Sequence, residues 1–357
     1  MIYLTTVLAL LPFVSMASQA APIQRLGRPT HAPDTEFSAV TWVVELRPGL
    51  LLVGDARNHQ LASLDLATGV SRPVARPGEG PREYRTVGEQ PLARPDGGVY
   101  VVDPSQRRLL PVSQHGVPFD VIAYSTRWMP QATDRRGRIY GELMHLNTSR
   151  RLSDSVSVVR IEPTTGAVDT LLTFDAGRSA MVSRDGQMRI WAPTAAWAAL
   201  QDGRIAVITS LPYQLRLWSD GRWSPPISLP GPSRPPTAAE KASKALELSS
   251  QPVRGMGKGA AAPPPLPELL FPARLPAFES FANAIQVSPD GALWIRRLDP
   301  GATTARYDVV DAKGFRGAVA LPASGAVVGF GEGAIYVSET DQDDIARIRR
   351  YAVPRLP

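Results

Sequence analysis

From residue 36 onward, short runs of alternating apolar and polar residues are broken by glycine turns, the period-two pattern of half-buried strands. One element recurs: RPGLLLV at 47–53, PDGGVYVV at 95–102, RRGRIYG at 135–141, QDGRIAVI at 201–208, PDGALWI at 289–295 and GEGAIYV at 331–337. Each places Gly in a tight turn and follows it with β-formers, the signature of a hairpin. The turn glycines Gly49, Gly97, Gly137, Gly203, Gly291 and Gly333 lie 48, 40, 66, 88 and 42 residues apart. Three of these intervals match one four-stranded blade, so the repeat predicts an all-β chain folded as a six-bladed β-propeller.

The two long intervals require insertions. Residues 225–272 hold twelve prolines, including PPP at 263–265, and break the strand rhythm. A proline-rich insertion over 231–275 within the propeller restores blade length there. Inside it, residues 237–250 suit a short helix with Thr237 as N-cap and Glu240 completing a capping box. After Gly137, the segment 144–155 reads as a long loop and 183–191 as a second excursion.

A second element follows the Gly-turn strand at 54–65, 102–113, 209–219 and 338–351. In it, Asp55 and Asp103 are placed to bond the backbone of their own turns, a structural role. The last repeat ends after its third strand, near residues 347–353, and a ring needs its final edge covered. Residues 22–30, or a segment just after them, are therefore expected to supply the outer strand of the last blade.

Residues 1–20 carry no charged side chain and end in small residues, with Ser18 and Ala20 preceding a cut at Ala20/Ala21. This reads as a signal peptide, leaving 21–357 as the propeller, periplasmic or extracellular and without a stable transmembrane span. Cysteine is absent, so disulfides, thiolate nucleophiles and zinc-thiolate sites are excluded. The net charge of +6 does not imply nucleic-acid binding, because the basic residues are dispersed among acids and only four are Lys.

Three segments carry a resemblance: ARPGEGPREY at 75–84, DGGVYVVDPSQRRLLPVSQHG at 96–116 and LPASGAVVGFGEGAIYVSE at 321–339. The chain resembles six-bladed propellers of bacterial exported proteins related distantly to NHL-repeat proteins. The first segment is similar to that family's Gly-rich linker, with Arg82 where a second Gly is usual and Tyr84 where Phe is usual. The resemblance implies the fold and leaves the activity open, since propellers host many functions.

The four histidines show no metal-binding spacing, no G-x-S-x-G elbow places a nucleophilic serine, and the GEG at 78–80 lacks the Lys and helix of a phosphate loop. The expectation is therefore a non-catalytic binding or scaffold propeller with no cofactor, its partner a small molecule, a glycan or an envelope protein. Trp191 and Tyr213, near strand ends, are the candidate ligand-binding aromatics, whereas Trp197, Trp218 and Trp294 are expected to pack between blades. The alternative is a metal-dependent hydrolase or lyase resembling sugar-lactone hydrolases, which hold one divalent ion over the central channel. Glu45, Glu89, Asp134 and Asn283, on or beside the expected inner strands, are the hard-ligand candidates for Ca²⁺ or a similar ion.

Overall fold

The computed structural model describes residues 23–356 apart from 56, 125–127, 144–153, 163–166, 178–186, 233, 251–267 and 280–283. The leader 1–20, most of the loop 144–155, the start of the 183–191 excursion, the PPP segment and Asn283 thus lie outside the described residues.

Six antiparallel sheets follow one another along the chain as propeller blades. Blade 1 is Val40–Arg47, Leu50–Asp55, Gln60–Asp65 and Ser71–Pro73. Blade 2 is Pro91–Ala93, Val99–Asp103, Arg108–Val112 and Ile122–Ala123. Blade 3 is Trp128–Thr133, Ile139–Leu143, Ser155–Ile161 and Val168–Asp175. Blade 4 is Ala195–Ala199, Ile205–Ser210 and Tyr213–Ser219, its outer edge shared by Arg222–Trp223 and Ile227–Ser228. Blade 5 is Ile285–Val287, Leu293–Arg296, Thr304–Asp311 and Gly314–Pro322.

The chain's N-terminal part closes the ring. Blade 6 takes Gly325–Gly331, Ala334–Thr340 and Ala346–Ala352 from the C-terminal end, and Glu36–Phe37 adds antiparallel to the last of these. Just before it, the Thr30 N–H donates to the Arg350 carbonyl at 2.7 Å. Further out, Ile23–Arg25 pairs in parallel with Gly314–Pro322. The expected closure by the N-terminal strand is thus present, through the segment just after residue 30 on blade 6 and through residues 23–25 on blade 5. Both strand edges that would otherwise be open at the seam are covered.

Alternation along each strand sends side chains into the gaps between neighbouring blades. Trp42, Leu52 and Leu61 of blade 1 meet Val99, Val101 and Leu110 of blade 2. Trp294 and Tyr307 of blade 5 meet Val327, Ile335 and Val337 of blade 6, with the two rings 6.4 Å apart. At the axis, Gly329 of blade 6 lies so close to blade 1 that an added Cβ would overlap the Val43 carbonyl.

Because every blade is a four-stranded meander, its first hairpin turn lies on one face, here the lower. The turn between its second and third strands, and the connection to the next blade, lie on the upper face. Asp55 and Asp103 sit at upper-face turns and bond their own loops as expected: Asp55 accepts from the N–H groups of Arg57 and Asn58, and Asp103 from that of Gln106. Each also accepts from the chain entering the blade, Ser38 N at 2.7 Å and Arg85 N at 2.8 Å respectively.

The upper face between blades 4 and 5 carries the insertion. Its helix, Ala238–Ser250, starts with the expected capping box: Glu240 N–H donates to Thr237 Oγ1 at 3.2 Å and Thr237 N–H to Glu240 Oε2 at 2.7 Å. Arg234 grips the same Glu240 through two bonds of 2.9 and 2.6 Å. A small parallel sheet of Gln187–Arg189 and Glu268–Leu270 joins the insertion to the connection between blades 3 and 4. Leu248 of the helix packs with Ile190, Trp191 and Leu275 in a separate apolar cluster. None of the described helices is long and apolar enough to cross a membrane.

Candidate active site

The insertion creates a cleft of about 540 Å³ on the upper face. One wall is the helix face of Ala239, Ser243, Lys244 and Glu247, positions one turn apart that share a side. The floor is the blade 5 loop from Arg296 to Gly301, and Trp191 and Glu279 complete the lining. Trp191 has a φ of 52°, a region that costs a non-glycine residue roughly 1–2 kcal/mol. Its ring is fixed against Phe271 at 5.4 Å between centroids.

Two carboxylates and a lysine meet here. Lys244 donates to both oxygens of Glu247 at 2.9 and 3.1 Å. Burial pushes the Glu279 carboxyl above its usual range; Lys244 pulls it down in part and Glu247 pushes it further up. A carboxyl that tends to keep its proton, set in a cleft beside a lysine–carboxylate ion pair, is suited to proton transfer. Glu240, by contrast, is drawn down to about 2 by the Arg234 guanidinium and by the cap, so it is a fixed anion of the helix start.

Beneath the floor lies a buried ionic group. Asp308 is wholly buried and receives Arg297 Nη1 at 2.6 Å and Arg306 Nη2 at 3.1 Å. Arg297 also donates to the Pro230 carbonyl at 2.9 Å and stacks 5.1 Å above the Tyr213 ring. Of the two candidate aromatics, Trp191 therefore stands in the cleft wall. Tyr213 lies below it, 7% exposed and supporting Arg297.

Of the metal-ligand candidates, the described Glu45, Glu89 and Asp134 are not gathered, and Asn283 lies outside the described residues. Glu45 lies at the lower face, where its carboxylate accepts from Gly49 N and Glu332 N, each at 3.1 Å. Asp134 begins the lower turn of blade 3 and accepts from Arg136 N, Arg138 N and Nε, and Tyr140 Oη. Glu89 is exposed on the connection into blade 2. The central channel, about 400 Å³, is lined among the described residues by neutral groups that include Gln90, Gln131, Gln201 and Gln286. No three His, Cys, Asp or Glu among the described residues are placed to share an ion. Among the described residues, the channel lining offers the divalent ion that the lactone-hydrolase resemblance implies amide and carbonyl oxygens and no carboxylate.

Trp197 lines that channel and donates to the buried Glu142 of blade 3 at 2.7 Å. Trp294 packs between blades 5 and 6, and Trp218 packs with Trp223 against the cluster shared by blades 3 and 4. Glu279, Lys244, Glu247, Arg296 and Arg297 had no motif to announce them. The available signal was the capped helix, whose polar face had to look at something.

No family model and no curated protein matches the sequence. Solved structures do match over nearly the whole chain. An exported protein of Bacteroides fragilis aligns over 93% of this chain and 99% of its own, with a TM-score of 0.52 and 10% identity. The shared feature is the fold. A gluconolactonase of Xanthomonas campestris covers 96% of this chain and 99% of its own, with a TM-score of 0.47 and 12% identity. A streptogramin B lyase covers 92% and 87%, with a TM-score of 0.41 and 11% identity. The expectation of a non-catalytic scaffold that is not an enzyme is corrected at this point: propellers of this outline include enzymes that are named as lactonases and lyases. The sequence holds no nucleophile elbow or metal motif, but catalytic groups brought together only by the fold need no motif along the chain.

Proposed function

We propose that the chain is an exported hydrolase or lyase, periplasmic or extracellular, that acts on a small molecule in the upper cleft. The observation that carries this reading is Glu279, a carboxyl raised by burial and set in a cleft beside the Lys244–Glu247 pair. In its protonated form Glu279 hands a proton to a leaving oxygen, and in its ionised form it takes one from water or from carbon. The Lys244–Glu247 ion pair stands beside it and tunes that exchange. Trp191 offers an apolar wall, and Tyr213 acts through Arg297 as a positioning residue. The uncharged leader pattern and the likeness to an exported propeller support an extracytoplasmic place. The distant relation to NHL-repeat proteins belongs to the same reading.

The test is turnover of a panel of lactones, esters and substrates prone to β-elimination by the mature chain and by Glu279→Gln. The expected result is turnover of at least one member, with kcat lowered roughly 100-fold or more in the variant and KM little changed. No turnover across the panel, or equal kcat in the variant, overturns the reading.

A further inference from the structure

The first strands of the blades surround the central channel, and its cavity of about 400 Å³ runs down to the lower turns, on the face opposite the cleft. Gln131 lies two residues from the lower end of its strand, Gln201 in the lower turn of blade 4, and Phe330 one residue from the end of the first strand of blade 6. Gln90 stands just before the first strand of blade 2, and Gln286 midway along that of blade 5. Four consecutive blades thus each bring a carboxamide to one cavity.

These amides are available. The side chains of Gln90, Gln131 and Gln201 are partly exposed and make no hydrogen bond among the described residues. Gln286 Nε2 donates to the Val327 carbonyl, which fixes its amide at the wall. A carboxamide carries two donors and an oxygen with two lone pairs, so this lining can both give and accept hydrogen bonds. The walls between the amides are apolar and held in place. The Trp197 indole is tied to Glu142 at 2.7 Å, and the Phe330 ring rests on Trp294 at 5.6 Å between centroids.

The lining also selects by charge. Among the described residues it holds no charged side chain, whereas the upper cleft holds several. An ion entering the channel would exchange water for neutral groups with no counter-charge, at a cost that a neutral molecule does not meet. A volume of this size lies in the range of small-molecule sites, roughly 300–1,000 Å³. A pyranose has the complementary profile: hydroxyls around its rim that donate and accept, a C–H face that packs on an aromatic ring, and no charge.

We propose that the lower half of the central channel is a second binding site, separate from the upper cleft, that takes a neutral monosaccharide. Gln131, Gln201 and Gln286 bond its hydroxyls, and Trp197 and Phe330 pack on its ring. The site does not depend on turnover in the cleft.

Calorimetric titration of the mature chain with D-glucose, D-galactose and D-mannose, and with the uronate and the 2-amino sugar of each, tests this. At least one neutral hexose should bind once per chain with a Kd of about 1 mM or tighter, and its charged counterparts about tenfold more weakly or worse. With no titratable group in the described lining, that Kd should stay constant between about pH 5 and about pH 8. Gln131→Leu should weaken binding about three- to tenfold, and Gln201→Leu reads the same interaction should the first variant fail to fold. Ser243→Trp, which fills the upper cleft, should leave the Kd unchanged. No binding of any neutral hexose, equal binding of the charged sugars, a Kd that moves with pH, an unchanged Kd in both glutamine variants, or loss of binding in Ser243→Trp overturns the inference. Hexose binding with the expected signatures and no turnover of the lactone, ester and elimination panel sinks the catalytic reading alone.

Discussion

The junctions after blade 1 and after blade 4 occupy equivalent places in the ring, and both hold a buried aspartate–arginine group. After blade 1, Asp103 is spent on Arg85, Thr86, Ser105 and Gln106, with Arg108 Nε 3.5 Å away. Arg108 in turn donates to the carbonyls of Gly78, Glu79 and Gly80, so the GEG loop is a backbone cradle for an internal arginine. Tyr84 completes the lock by accepting the Leu61 N–H at 2.8 Å. After blade 4, Asp308 and Arg297 are just as buried, but the chain departs into the insertion and leaves a cleft above them. The same pair of residue types closes one junction and floors a cavity at the other. What decides between them is how many partners the connecting chain supplies.

The largest effect that would test this comparison is removal of the buried carboxylates. Asp308→Ala strands Arg297 and Arg306 around an uncompensated site and should cost about 3–5 kcal/mol in urea unfolding. Asp103→Ala should cost a comparable amount. A loss below about 1 kcal/mol at either position would mean that the pair there is not a support of its junction. Tyr84→Phe is the intermediate case: it leaves the Leu61 N–H without its acceptor and should cost about 1–3 kcal/mol. No change in midpoint would mean that the linker does not bind the two blades through this residue. Thr237→Ala is the smallest. It removes a helix cap worth about 1 kcal/mol, and because the insertion helix packs in its own cluster, the loss should appear as faster amide exchange in Ala238–Ser250 with the global midpoint unmoved. A global shift would show that the helix is part of the cooperative core.

Much of the fold was legible because it rests on local rules. Glycine turns followed by β-formers marked six hairpins, and the missing fourth strand of the last repeat implied closure by the N-terminal chain, which Glu36–Phe37 provides. The helix was readable from Thr237 and Glu240, since a capping box is a contact between residues three apart. The site was not readable in this way. Lys244, Glu279 and Arg297 come from a helix, the end of an insertion and a blade 5 loop, and no spacing along the chain relates them. For the converse reason, Glu45 and Asp134 among the candidate ligands do not converge. Glu45 and Asp134 lie at the ends of inner strands, but at the lower turns, where nearby N–H groups occupy their oxygens.

The amino-acid sequence by itself determined the strands, their turns, the number of blades and the helix at the insertion, because each depends on the conformational preferences and burial pattern of neighbours in the chain. The tertiary structure decided which polar groups were used up and which were left facing a cleft. Whether Glu279 keeps its proton, and which partners hold Arg297 beneath the cleft, depends on desolvation and on groups far away in sequence, quantities that exist only once the blades have packed.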